Sequence, residues 1–261
     1  MHELMETLYS LDKLRRSLTH AEWKQFCLTE PIGYPLHRLL LQDPATRMVF
    51  EHSTSELADP ELSGLLFDPS SGRDDSHSSV NDFLSYSDPL LAINHRSKYM
   101  ADYVDKIAVR VGYPPDILMV GDAKRLEVDL SQTIVQARYN KYIVVNDPDQ
   151  LITFNQRFDL AIVPSMLNYL DQDRALELVF WMFERLKHGG SMLLALFRKE
   201  SPNSLYRTYM EAFLHWFMEY RSDEEIIALF DLIPNAQIED FQISSDPYCN
   251  ISYASVRKNK N

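Results

Sequence analysis

The sequence predicts an α/β protein with a doubly wound parallel sheet behind an N-terminal helical region. Residues 158–197 carry the patterns of a strand, a helix and a second strand in succession, as in a crossover between parallel strands. From residue 113 onwards strand patterns alternate with helix patterns, and no convincing strand pattern precedes residue 112. Such alternation is typical of a parallel sheet with helices on both faces.

The N-terminal region is predicted to be helical. Glu3–Leu18 is amphipathic, and Thr19 with Glu22 forms a capping box at the start of a second helix. Residues 70–81 are polar and rich in turn formers, which predicts a loop. Further helices are predicted over Tyr34–Leu41, Ala45–Glu51 and Pro89–Val111.

The crossover has the clearest pattern. Phe158–Val163 is a short apolar run, as expected for a strand buried on both faces. A helix with one apolar face is predicted from Asp171, which can cap it, to Lys187. The glycine pair at 189–190 supplies a left-handed helix stop, and Ser191–Phe197 is the second strand.

The remaining elements complete the alternation. We predict a domain boundary at the prolines after residue 113, which gives a helical cap over 1–112 and an α/β domain over 113–261. The last strand alternates in the manner of an antiparallel edge. Strands are predicted over Ile117–Val120, Tyr142–Val145, Ala236–Phe241 and Asn250–Arg257, and helices over Leu126–Ala137, Ser204–Tyr220 and Asp223–Phe230.

Composition argues against several classes of partner. The chain has 261 residues and a formal net charge of -12 with no dense basic face, which disfavours nucleic acid and anionic membranes. No apolar run approaches the length of a bilayer span, and no signal peptide is predicted. Cys27 and Cys249 are the two cysteines, a usage that fits a reducing cytoplasm. The eight histidines are scattered, so no metal is expected.

Five segments together resemble the class I S-adenosylmethionine (SAM)-dependent methyltransferases. Within that superfamily they look like the 3-hydroxypalmitate methyl ester synthases of bacterial cell-to-cell signalling, and Tyr209–Arg221 is the most specific match to this branch. The resemblance implies a seven-stranded Rossmann-like sheet and an N-terminal helical cap over the substrate side. The matching segments are residues 42–52, 116–131, 158–197, 209–230 and 250–258.

The resemblance also implies a SAM site and a substrate pocket, without identifying a catalytic residue. Arg221 would clamp a substrate carboxylate if it points inward, whereas aromatic residues at helical spacing more often form a packed core than a ligand pocket. The cofactor candidates are Gly121, Asp122, Ala123, Asp147, Pro164 and Ser165. The substrate candidates are Asn168, Tyr169, Tyr209, Trp216, Tyr220 and Arg221.

Three positions depart from the pattern that the resemblance implies, and one of them is Leu196, which stands where a polar residue is common in this branch. The methionine carboxylate requires close backbone approach after the first strand, yet Gly121 is followed by the long side chains of Lys124 and Arg125. At the end of the second strand an acid should accept hydrogen bonds from the ribose hydroxyls. The residue at that position is Val145, and Asp147 comes two residues later.

Three functions remain open on the sequence alone. The departures favour a pseudo-methyltransferase that binds a small ligand, a protein partner or a second copy of itself. The resemblance favours a SAM-dependent methyltransferase acting on a hydroxyl or carboxylate of a small apolar acid. A repurposed enzyme that needs no methyl donor is the third.

Overall fold

The computed structural model describes residues 2–30, 35–42, 44–51, 88–121, 131–202 and 204–260. The predicted loop at 70–81 lies outside these ranges. The helices are α1 His2–Arg15, α2 His20–Thr29, α3 Pro35–Leu40, α4 Pro44–Glu51, α5 Asp88–Val111, α6 Gln132–Val135, α7 Gln150–Thr153, α8 Gln172–Glu184, α9 Ser204–Leu214 and α10 Asp223–Ala228. The strands are β1 Asp116–Val120, β2 Lys141–Val145, β3 Phe158–Val163, β4 Leu186–Phe197, β5 Ile238–Ser245 and β6 Ile251–Lys258.

The strands form one mixed sheet in the order β2-β1-β3-β4-β6-β5. The pairs β1–β2, β1–β3 and β3–β4 are parallel, whereas β6 runs antiparallel to both β4 and β5. Parallel neighbours with helical crossovers make the fold an α/β class, as the sequence predicts.

Two details of the predicted sheet are wrong. The described residues contain six strands rather than seven. Residues 146–157, all described, join β2 to β3 with only the four-residue helix α7, so this connection adds no strand. The last strand is not an edge strand either, because β6 lies between β4 and β5. Its side chains are correspondingly buried, while β5 at the edge is mostly exposed.

The chain divides into two compact units. Unit 1 comprises Met1–Leu91 with Pro202–Met218, and unit 2 comprises Ala92–Ser201 with Glu219–Asn261. This division differs from the predicted boundary at residue 112, because most of α5 groups with the sheet and α9 groups with the N-terminal helices.

Unit 1 is organised around α9. Every residue of this helix from Thr208 to Leu214 is buried, including the carboxylate of Glu211, which is 0% exposed. Glu211 accepts hydrogen bonds from Trp23 Nε1 at 2.8 Å and Arg207 Nε at 2.9 Å, so its buried charge is paired. The capping box of α2 is confirmed: the Thr19 side chain accepts from the Glu22 N–H, and the Glu22 carboxylate from the Thr19 N–H.

The crossover in unit 2 confirms the predicted strand and cap. All six residues of β3 are buried, and Asp171 caps α8 by accepting from the Arg174 N–H at 2.9 Å. The helix ends at Glu184 rather than Lys187, since β4 already begins at Leu186. The glycine pair therefore lies within β4 and is not the helix stop.

Gly190 provides a test of this register. A Cβ atom there would lie 2.9 Å from the carbonyl oxygens of both Lys187 and Phe158, and neither backbone atom can move alone. We expect Gly190→Ala to lower the free energy of unfolding by about 2 kcal/mol, as overpacking against backbone does. Gly112→Ala is the control, since its added Cβ meets nothing within 4 Å and only its positive φ is strained. Equal losses in urea unfolding would contradict the contact at Gly190.

Candidate functional site

The sheet has a topological switch point between β1 and β3. From β1 the chain moves outward to β2 on one side, and β3 leads to β4 on the other. In parallel α/β sheets, ligands bind in the crevice outside the carboxyl ends of strands at such a point. We call the carboxyl ends of β1 to β4 the carboxyl edge, and it contains the candidate site.

Gly121 follows β1 at this edge. Its φ is +146°, a backbone angle that side chains rarely adopt, and its N–H donates to the Val145 carbonyl at 2.9 Å. A Cβ at Gly121 would lie 3.8 Å from Pro164 Cδ, which places it beside the residue that follows β3. The turn thus needs glycine for its angle and not for lack of space. The other candidates on this turn, Asp122 and Ala123, lie outside the described residues.

The end of β2 holds no free carboxylate at the level of Gly121. Val145 pairs with Val120 in the sheet and is 1% exposed within the apolar core, so its side chain does not face a ligand. The first exposed residue after β2 is Asn146. Asp147 is also exposed, but its Oδ1 accepts from the Asp149 N–H at 3.0 Å, a hydrogen bond within its own turn.

After β3 the chain enters a short 3-10 helix at Met166–Tyr169. Asn168 in this helix is 1% exposed. Its Nδ2 donates to the Ser165 carbonyl at 3.0 Å, and its Oδ1 accepts from the Phe197 N–H at 2.9 Å. Asn168 therefore ties the segment after β3 to the end of β4, and both ends of its amide are engaged. Tyr169 is 38% exposed.

Arg221 holds the same segment in place through hydrogen bonds to its main chain. Its guanidinium is 3% exposed and donates to the carbonyls of Leu167 and Leu170, both at 2.6 Å, and to Gln172 Oε1 at 3.0 Å. Burial lowers the pKa of this guanidinium. The group points inward, as the clamp hypothesis requires, but main-chain carbonyls occupy it. Tyr220 beside it is half-buried, with its ring 6.0 Å from that of Phe197.

The structure thus brings a subset of the predicted residues to the carboxyl edge. Tyr209 and Trp216 belong to unit 1 and are buried there. The Tyr209 hydroxyl lies 3.1 Å from Thr46 Oγ1. Asn146 is the residue that the sequence interpretation missed, because only the register of β1 against β2 identifies it as the first residue beyond the sheet. The predicted residues at this edge are Gly121, Asp147, Pro164, Ser165, Asn168, Tyr169, Tyr220 and Arg221.

A second polar cluster lies at the opposite, amino end of the sheet. Asp159 is 3% exposed and accepts hydrogen bonds from Tyr113 Oη at 2.6 Å, the Asp116 N–H at 2.8 Å and Lys187 Nζ at 2.7 Å. Lys187 also reaches Asp116 at 2.7 Å. Every acceptor in this cluster is matched by a donor, so it joins the starts of β1, β3 and β4 and presents no ligand site.

The described residues contain no group of three or more histidine, cysteine, aspartate or glutamate side chains arranged to hold a metal ion. None of their helices combines the length and the apolar character that crossing a membrane requires.

Comparison with known proteins supports the fold. No family model and no curated protein matches the chain. A solved structure of a possible exported protein from Bordetella parapertussis is similar over 99% of this chain and 96% of that chain, at 14% identity and a TM-score of 0.54. At this identity the likeness concerns the fold alone.

Methyltransferases are also among the similar structures. The match to magnesium protoporphyrin IX methyltransferase from Synechocystis PCC 6803 with bound SAM spans 82% of this chain and 97% of that chain, at 11% identity and a TM-score of 0.46. The match to the 1,6-didemethyltoxoflavin-N1-methyltransferase of Burkholderia thailandensis spans 64% of this chain and 78% of that chain, at 14% identity and a TM-score of 0.41. Both TM-scores lie below 0.5, too low to carry an assignment.

Proposed function

We propose that this chain is a methyltransferase-fold protein with a degraded SAM site, a pseudo-methyltransferase that binds a small ligand or a protein partner. The observation that carries the proposal is the end of β2. Val145 is part of the core, Asn146 takes the first exposed position, and the Asp147 carboxylate accepts from its own turn. The residue level with Gly121 is thus an amide, and the Asp147 carboxylate, two positions past the strand, has one oxygen engaged in its own turn.

The absence of a carboxylate at this position is expected to weaken SAM binding substantially. A charge-assisted hydrogen bond is worth about 1.5–3 kcal/mol, so losing it and leaving ribose hydroxyls unpaired weakens binding by roughly a hundredfold. The residues present therefore fit SAM poorly on the ribose side.

A working SAM-dependent O-methyltransferase is the second candidate. Gly121 favours it, since a glycine in a conformation that other residues avoid follows β1 at the switch point, where a nucleotide-binding turn is expected. Its substrate would be a hydroxyl or carboxylate of a small apolar acid. A donor-independent enzyme has no specific support at this edge.

One substitution distinguishes the pseudo-methyltransferase from the working methyltransferase. We expect Asn146→Asp to tighten binding of S-adenosylhomocysteine at least tenfold in equilibrium dialysis, because it restores a carboxylate level with Gly121. Asn155→Asp is the matched control, as it adds the same charge at another exposed position between β2 and β3. Equal affinities of the two variants would contradict the proposal, and so would tight binding by the unaltered protein.

We propose a small molecule or a protein partner, with a second copy of this chain as one form of the latter, and exclude nucleic acid and membranes because the net charge is -12. The cytoplasm is the proposed location, based on the sparse use of cysteine.

A further inference from the structure

The sheet of unit 2 ends in β2 on one side and in β5 on the other. The neighbouring strands β1 and β3 are buried at every position except Asp116, whereas β2 begins with the exposed Lys141 and is only half-buried from Tyr142 to Val144. Among the described strands, β2 pairs with β1 alone. A strand at the end of a sheet presents main-chain N–H and C=O groups on its outer side, and such an edge can pair with a strand of another chain.

The two edges of the sheet differ in their protection against pairing. The strand β5 carries exposed acids at Glu239 and Asp240, and its register against β6 is irregular at this point. Charged side chains and bulges are common means of preventing edge-to-edge contact. In β2 the four residues after Lys141 are aromatic or β-branched, and none is glycine or proline. These residue types favour strand pairing, so β2 is the edge better suited to a partner strand.

The charges around β2 are arranged to complement those of a second copy. Lys141 begins the strand, Asp147 lies two residues past its end, and both side chains are exposed. Each lies three residues from Val144. When two β2 strands pair antiparallel about Val144, Lys141 of each copy therefore lies opposite Asp147 of the other, on the same face of the sheet. Asp147 Oδ1 accepts within its own turn, but a carboxylate can accept hydrogen bonds at both of its oxygens.

We propose that this chain forms a symmetric dimer in which the β2 strands of two copies pair antiparallel, with Val144 opposite its own counterpart. A two-fold dimer uses the same patch on both copies, as this register does. The pairing joins the two sheets into one and places Tyr142 of one copy opposite Asn146 of the other, beside the carboxyl edge. The dimer does not depend on SAM binding, so its failure would leave the pseudo-methyltransferase proposal standing.

A cysteine at position 144 tests the register. In a Cys249→Ser background, which removes the exposed native thiol, we expect Val144→Cys to form an intermolecular disulfide under mild oxidation. The reason is that directly opposite residues of an antiparallel pair have Cα atoms about 4.5–5.5 Å apart, within reach of a disulfide. Gln242→Cys, at an exposed position on β5, is the control and should give no disulfide dimer. Equal cross-linking of the two variants, or none from Val144→Cys, would overturn the proposal.

Sedimentation velocity measures the same dimer without a covalent bond. Pairing of two short strands buries less than a standard interface of about 1,200–2,000 Å², so we expect a reversible dimer with a dissociation constant of about 10–100 μM. Lys141→Glu places like charges opposite each other twice in the dimer and should raise this constant about tenfold. Adding Asp147→Lys restores opposite charges and should recover most of the affinity.

Lys98→Glu is the matched control, since it makes the same change of charge at an exposed position on α5. We expect its dissociation constant to equal that of the unaltered protein. An unaltered protein that remains monomeric at about 1 mM would contradict the dimer. Equal weakening by Lys98→Glu and Lys141→Glu, or no recovery in the double variant, would show that the two charges do not face each other.

Discussion

Replacing Arg221 by methionine is expected to lower the free energy of unfolding by about 4 kcal/mol. The guanidinium is buried and donates to the carbonyls of Leu167 and Leu170 and to Gln172. Methionine fills a similar volume but donates nothing, so these acceptors lose their partners in a buried setting. Urea unfolding monitored by circular dichroism measures the loss.

Arg198→Met is the matched control for this change. The backbone of Arg198 pairs with that of Arg221 in a single β-bridge. The Arg198 guanidinium makes one 3.4 Å contact, to Asp223, and its side chain is 20% exposed. We expect a much smaller loss of stability. If Arg221→Met unfolds like the unaltered protein while ligand binding disappears, Arg221 is the substrate clamp that the sequence suggested.

Replacing Asp159 by alanine is expected to lower the free energy of unfolding by about 3 kcal/mol. Removing this carboxylate leaves Tyr113 Oη and the Asp116 N–H without their acceptor and leaves Lys187 with one of its two partners. Breaking a buried ion pair from one side is costly because the remaining groups stay desolvated.

Asp149→Ala tests whether burial, and not ion-pair distance, determines the loss of stability expected for Asp159→Ala. Asp149 contacts Arg174 at 2.7 Å, the same distance as Lys187 to Asp159, but both side chains of this pair are at least half exposed. Exposed pairs contribute little to stability. We expect the midpoint of urea unfolding for Asp149→Ala to match the unaltered protein. Comparable losses in the two variants would contradict the assignment of Asp159 as a buried structural acid.

Local patterns predicted much of the fold because the chemistry that produces them is local. The apolar run of β3 is buried at all six positions, and the capping box of Thr19 forms as its spacing requires. Element ends were less predictable. The helix α9 stops at Leu214 because His215 turns left-handed and the Trp216 N–H donates to the Met210 carbonyl, which the aromatic spacing does not reveal.

The candidate site was predictable in position but not in side-chain roles. A glycine after the first strand of an alternating pattern indicates the edge where Gly121 lies. Asn168 and Arg221 also lie at this edge, but their polar atoms are engaged with main-chain groups of other segments. Those partners are distant in sequence, so only tertiary packing decides whether such a residue faces a ligand or supports the backbone.

The central claim is that no acidic residue follows β2 at the level of Gly121. Calorimetric titration of the unaltered protein with SAM tests this claim most directly. We predict no one-to-one isotherm with a dissociation constant below about 100 μM, given the contacts that Val145 and Asn146 do not supply. A one-to-one isotherm in the low micromolar range would contradict the account and make the working methyltransferase the better description.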